Sequence, residues 1–172
     1  MDRITENIYI GNVFEAQNID LLKEHSITAV LNVAFELKNS FSFLDDEICT
    51  THVGLIDGVE ISTPAIYAAV LQLGALMKAG HRVLVHCHMG ASRSPFVVLC
   101  YLRAIGFTPE SNKNSAVAEV SLDSFGQNIF DHISVQRSAC MINPYVLSRY
   151  REIDFDFLRK IILDSKGYIL SA

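Results

Sequence analysis

The 172-residue sequence contains no run of eighteen or more apolar residues, so it offers no segment expected to cross a membrane as a helix. Its opening, Met1-Asp2-Arg3-Ile4-Thr5-Glu6, has no basic stretch followed by an apolar one, and a secretory leader is not expected. Cysteine is scarce and scattered: Cys49, Cys87, Cys100 and Cys140 show none of the tight pair spacings of zinc sites or redox dithiols. Thiols left single fit a reducing compartment, cytoplasmic or nuclear. Positive charge is short as well, with 14 Lys and Arg against 19 Asp and Glu and a net charge of −5. A face that binds nucleic acid or an anionic membrane usually needs the opposite balance, so neither is an expected partner. The chain has no internal repeat and no low-complexity tract.

Half of the residues are apolar, enough for one domain over residues 1–172 with a buried core. Residues 8–10 read as a short strand, 13–24 as a helix with Phe14, Ile19, Leu21 and Leu22 apolar, and 27–33 as an apolar, β-branched strand. A polar and aromatic loop over 35–46 leads to a strand over 48–55. Thr63 as cap and Pro64 at the first position open a helix to about Lys78, closed by Ala79-Gly80. Residues 82–85 form a short buried strand, and 95–105 a helix stopped by Gly106-Phe107-Thr108-Pro109. Beyond Pro109 the pattern turns helical, with a polar linker over 111–115 and a break at Asp123-Ser124-Phe125-Gly126. The alternation predicts an α/β fold: a mostly parallel central sheet with helices on both faces, and a helical C-terminal part. Ligands of such sheets lie at the carboxyl ends of the strands.

The last short strand runs into Cys87-His88-Met89-Gly90-Ala91-Ser92-Arg93-Ser94, where a helix begins. Five residues between Cys87 and Arg93 suffice for one tight turn whose backbone N–H groups can surround an anion, with Gly90 allowing unusual dihedrals and close approach. The helix start at about Ser92 adds its positive end. A thiol so placed, with a guanidinium nearby, is expected to be partly ionised near neutral pH. Arg93 supplies a planar fork of donors matched to two phosphoryl oxygens. The pattern therefore reads as a phosphate cradle made by His88, Met89, Gly90, Ala91, Ser92 and Arg93 around a nucleophile, Cys87.

The run His86-Cys87-x5-Arg93-Ser94 resembles the signature loop of the cysteine-based protein tyrosine phosphatases, and Gly90, Ser92, Arg93 and Ser94 most resemble its dual-specificity branch. Ile4 to Gly11 and Ile27 to Ala34 are similar to that branch's opening and second strands, and Ile142-Asn143-Pro144 is a weaker echo. The resemblance implies a protein tyrosine phosphatase-like fold and hydrolysis of phosphotyrosine, with phosphoserine and phosphothreonine left open, on a phosphorylated protein substrate and without metal or cofactor. It also implies that Ser94 hydrogen-bonds the thiolate and eases its departure. The connection over 110–127 departs from the short one usual in the family and reads as an insertion or an extra helix.

Phosphate ester hydrolysis by a thiolate also needs a carboxylic acid to protonate the leaving oxygen. Asp45 and Asp46 precede the 48–55 strand and belong to its amino end, while Asp57 and Glu60 follow it, on the edge where Cys87 emerges. Asp57, whose spacing upstream of Cys87 resembles the family's general-acid loop, stands ahead of Glu60. His86 alternates with Cys87 on the strand, so its side chain is expected on the opposite face, bracing the loop. The same alternation argues against a metal site at His86, Cys87 and His88. Cys100 reads as core and Cys49 as a strand residue, and a reversible disulfide of either with Cys87 turns on a distance that sequence does not carry. The aromatic loop carrying Phe35, Phe41 and Phe43 is expected to wall the substrate cleft, with core positions as its alternative. The rival functional class is a phosphoprotein-binding adaptor without turnover. Lipid, RNA or glucan phosphatase activity is the further alternative, and the absence of lysine from the cradle disfavours it.

Overall fold

In the computed structural model, which describes residues 1–38, 47–109 and 122–164, the centre is a five-stranded sheet in the order β1-β2-β5-β3-β4. Its strands are β1 (Asp2–Arg3), β2 (Ile8–Gly11), β3 (Ala29–Ala34), β4 (Cys49–Leu55) and β5 (Val83–His86). Only β1 runs antiparallel, against β2; the other pairings are parallel. The two-residue period of a strand divides the interior. Ile8, Ile10, Leu31, Val83 and Val85 face one side, while Tyr9, Val30 and Leu84 face the other. The second side is covered by α1 (Val13–Ala16) and α2 (Ile19–Glu24), through Ala16 and Leu22. The first side carries the larger layer: α3 (Thr63–Lys78), α4 (Arg93–Ile105), α5 (Ser124–Gln136), α6 (Pro144–Ser148) and α7 (Phe155–Asp164).

The chain leaves β2 toward one face and β5, its parallel neighbour, toward the other. Adjacent parallel strands whose connections part in this way open a crevice at their carboxyl ends. Gly11 and Cys87 stand at that crevice.

Several elements depart from the sequence-based expectation for local reasons. The helix expected over 13–24 is two short helices, because the Asn18 side chain accepts a hydrogen bond from Leu21 N (3.1 Å) and starts a second one. Phe14, expected on the apolar side of that helix, is 75% exposed. The cap of α3 is Ser62, whose Oγ accepts from Ala65 N, rather than Thr63, whose hydroxyl instead donates to Glu152 (2.7 Å). Asp123 to Gly126, expected as a break, is the beginning of α5: Asp123 Oδ1 accepts from Gly126 N at 2.6 Å. A Cβ at Gly126 would collide with the Tyr150 hydroxyl. The strands over 27–33 and 48–55, the helix ends at Ala79-Gly80 and Gly106, and the helical C-terminal part agree with expectation. Phe41, Phe43, Asp45, Asp46 and the 111–115 linker lie outside the described residues, as does most of the 110–127 connection.

Candidate active site

Cys87 follows β5 directly, 2% exposed, and the loop after it ends at Arg93, the first residue of α4. The carbonyls from Cys87 to Ala91 are each engaged by a hydrogen bond. Cys87 O accepts from His86 Nδ1 (3.1 Å), His88 O from Val13 N (3.0 Å) and Ala91 O from Met141 N (2.8 Å). Met89 O and Gly90 O accept from the Arg137 guanidinium at 3.2 and 2.6 Å. A trans peptide directs its C=O and the following N–H in opposite senses, so five outward carbonyls turn the amides of His88, Met89, Gly90, Ala91 and Ser92 inward. Gly90, at φ +68°, has no room for a side chain, since a Cβ would strike Gly11 and Arg137. The result is a ring of amides at the start of a helix, with Cys87 Sγ beneath it and Ser94 Oγ donating to that sulfur at 3.3 Å. Ser92 makes no cap bond to α4; its hydroxyl accepts from Asn143 N (3.1 Å) and reaches toward Asp57 Oδ1 (3.5 Å).

Arg93 is 4% exposed, and part of its donor fork is held by acceptors within the protein. Both terminal nitrogens donate to Glu36, each at 2.6 Å, and Nη1 also donates to Leu55 O at 3.1 Å. The donors left for an anion are Nε and the second N–H of Nη2; Nε is buried, makes no hydrogen bond among the described residues, and lies 3.4 Å from Asp57 Oδ2. Burial opposes the Arg93 charge, but Glu36, Cys87 and Asp57 outweigh it and raise its pKa. The Glu36 carboxyl is held below its ordinary value, first by its hydrogen bonds from Arg93. Glu36 thus fixes the guanidinium plane and leaves its Nε–Nη2 edge for an anion.

Asp57 stands directly after β4, accepting from Gly58 N (2.9 Å) and close to both Arg93 and Ser92, so the structure brings it to Cys87's edge. Glu60 ends the 3-10 helix Gly58–Glu60 and is exposed, with no contact to the ring among the described bonds. His86 is wholly buried, on the sheet face opposite Cys87. Burial above all lowers its pKa to about 4. Cys49 pairs with Ala29 at the amino end of the sheet, whereas Cys87 lies past the carboxyl end of β5, two strands away. That offset exceeds the ~7 Å Cα limit of a disulfide. Cys100 is fully buried on α4 among apolar neighbours, and burial pushes its thiol well up. Phe35 is exposed on the 3-10 helix Phe35–Leu37 rather than in the core.

Sequence reasoning missed Glu36 and Arg137. A buried arginine requires a carboxylate, and the loop after β3 shares the Cys87 edge, so Glu36 could have been sought there. Arg137, 5% exposed at the end of α5, announced itself only through long-range bonds.

Residues 8–106, more than half of the chain, match the family model for the dual specificity phosphatase catalytic domain. The chain is 33% identical over 103 residues to dual specificity protein phosphatase 1B of Arabidopsis thaliana, covering 59% of this chain and 60% of that protein. It is 31% identical over 100 residues to protein phosphatase Slingshot of Drosophila melanogaster, covering 58% of this chain and 9% of that protein. The matches thus span less than two thirds of these relatives' own lengths. The crystal structure of DUSP15 superimposes with a TM-score of 0.74 at 19% identity over 97% of each chain, a likeness of fold. Sheet order, cradle and matched span agree: the chain belongs to the dual specificity phosphatase catalytic-domain family.

Proposed function

We propose that this chain hydrolyses phosphate monoesters on proteins, phosphotyrosine first and phosphoserine and phosphothreonine after it, through a cysteinyl-phosphate intermediate. The observation that carries the reading is the amide ring, five inward N–H groups after Cys87, with the free edge of Arg93 beside them. The sulfur, as thiolate, attacks phosphorus; the bond to the ester oxygen breaks, and Asp57 gives that oxygen its proton. Water then attacks phosphorus, the P–S bond breaks, Asp57 takes the proton, and the Ser94 hydroxyl holds the released sulfur. One water is consumed, and an alcohol or phenol and inorganic phosphate are formed. The ring and Arg93 stabilise the equatorial oxygens in both steps. Four unpaired cysteines support placing this chemistry in a reducing cytoplasm or nucleus.

Phosphate release from a panel of phosphotyrosyl, phosphoseryl and phosphothreonyl peptides, beside soluble phosphoinositides and with chelator present, tests the reading. Wild-type protein should release phosphate from the phosphotyrosyl peptides, and Cys87→Ser should bind them without turnover, because a serine alkoxide does not form near neutral pH. Peptide binding by the wild type without any turnover would instead establish an adaptor. Substantial hydrolysis by Cys87→Ser would sink the cysteine mechanism.

A further inference from the structure

Eleven large apolar side chains stand exposed among the described residues, and six of them, Phe14, Phe35, Ile56, Val59, Met89 and Met141, belong to the segments that border the amide ring. Single exposed apolar residues are ordinary, but a set gathered around one site marks a binding surface. Each neighbouring segment is tied to the ring by a bond already described. Val13 N donates to His88 O, next to Phe14, and Met141 N itself donates to Ala91 O. Glu36, next to Phe35, holds Arg93; Asp57, next to Ile56, meets Arg93 and Ser92. Met89 is part of the ring and is 68% exposed, so its side chain points away from the inward amides.

The charge around this rim is scant. Glu36 and Asp57 both face the buried Arg93 and Arg149 is paired with Glu152, which leaves Glu60 and the exposed His88 of the ring. Lys38 is the exposed lysine of the described rim segments. Such a surface offers little to a polyanionic headgroup, to an anionic bilayer or to acidic sequence flanking a phosphorylated residue.

Taking the ring as the phosphate site proposed above, we infer that the rim binds a phosphorylated polypeptide segment whose residues on either side of the phosphoresidue are apolar. Phosphate in the ring fixes the segment's position, and its neighbours then lie on Phe14 and Met141, away from the reacting atoms. Substrate choice is set by these apolar contacts outside the ring.

The test separates the rim from the chemistry by measuring affinity as well as turnover. Phosphotyrosyl peptides of one length, flanked by Leu and Phe, by Gly and Ser, or by Asp and Glu, are titrated against Cys87→Ser protein and against Cys87→Ser carrying Phe14→Ser and Met141→Ser. The apolar-flanked peptide should bind about tenfold more tightly than the Gly/Ser one, the acidic one most weakly, since a few apolar groups discriminate by roughly 10- to 200-fold. The double rim substitution should bring the first two within about threefold while free phosphotyrosine affinity stays unchanged, a control for folding. Equal affinity across the flanks overturns the inference. So does stronger binding to phosphatidylcholine vesicles containing a phosphoinositide than to every peptide, which would assign the rim to a membrane. A flank preference in a protein that turns over no ester would keep the rim and remove the phosphatase reading; turnover by the wild type with a flat affinity profile would do the reverse.

Discussion

At His86, burial and hydrogen bonding fix a single protonation state. Its Nδ1 lies 3.1 Å from Cys87 O, and a carbonyl only accepts, so Nδ1 carries a proton, and burial keeps the imidazole neutral near neutral pH. The folded pKa of about 4, set chiefly by burial, lies below the unfolded value near 6.5. Between those values the unfolded chain binds more protons than the native one, so stability rises with pH across that window. The contribution is complete above about pH 6.5 and is lost as pH falls toward 4, amounting to about 2 kcal/mol at pH 5. Urea unfolding at pH 7.5 and pH 5 should therefore show a smaller acid loss in His86→Gln than in wild type, by about that amount. Equal losses in the two proteins would place the acid sensitivity elsewhere. This residue was legible in the sequence because strand alternation alone sends it to the face opposite Cys87. The partner that fixes Arg93 was not, since Glu36 lies 57 positions away and meets it only through the fold.

Among the elements, those whose signals are local agreed with the sequence. The helix from Arg93 to Ile105 ends where Gly106 takes φ +76°, and β3, wholly buried, follows its β-branched run. Competing caps were less legible: Asn18 divides a helix that apolar spacing alone would continue, and Ser62 takes the cap one residue before Thr63. The loop after β4 shows how an element end acquires a role. Asp57 is the cap of the 3-10 helix Gly58–Glu60, so an ordinary turn bond to Gly58 N also aims its second oxygen at Arg93. A capping role alone would be indifferent to the ester used, whereas a proton donor matters only when the leaving oxygen is basic. Asp57→Asn should thus slow release of tyrosyl phosphate by roughly 100-fold while leaving the first step on an aryl ester of an acidic phenol nearly intact. Rapid-mixing measurement of phenol release across a series of leaving groups checks this. A uniform loss would assign Asp57 to loop structure and turn attention to Glu60.

At the scale of the molecule, the ring is held by parts of the chain that sequence order keeps far apart, and Arg137 joins them. Standing at the end of α5, it donates to Gly90 O, Met89 O and, at 3.3 Å, Ile10 O, and it pairs with Asp2 on β1 at 2.5 Å. The carbonyls it holds are the reverse side of the inward amides, so the edge hairpin, the α5 helix end and the anion site share one guanidinium. Four N–H donors held in one plane meet these four acceptors, and neither a lysine nor a glutamine supplies them. Removing it leaves buried carbonyls without partners at about 1–3 kcal/mol apiece, so Arg137→Gln should be less stable by a few kcal/mol. A bracing role limited to stability would stop there. If Arg137 also sets the direction of the amides, the folded variant should bind vanadate about tenfold more weakly, because misaligned donors lose much of their grip on an oxyanion. Asp2→Asn, which removes the ion pair but none of the carbonyl bonds, should keep vanadate affinity close to wild type. Isothermal titration well below the unfolding temperature of each variant makes the comparison. Vanadate affinity unchanged in folded Arg137→Gln would show that the loop holds its amide geometry without the arginine, and that the long-range link serves the fold alone.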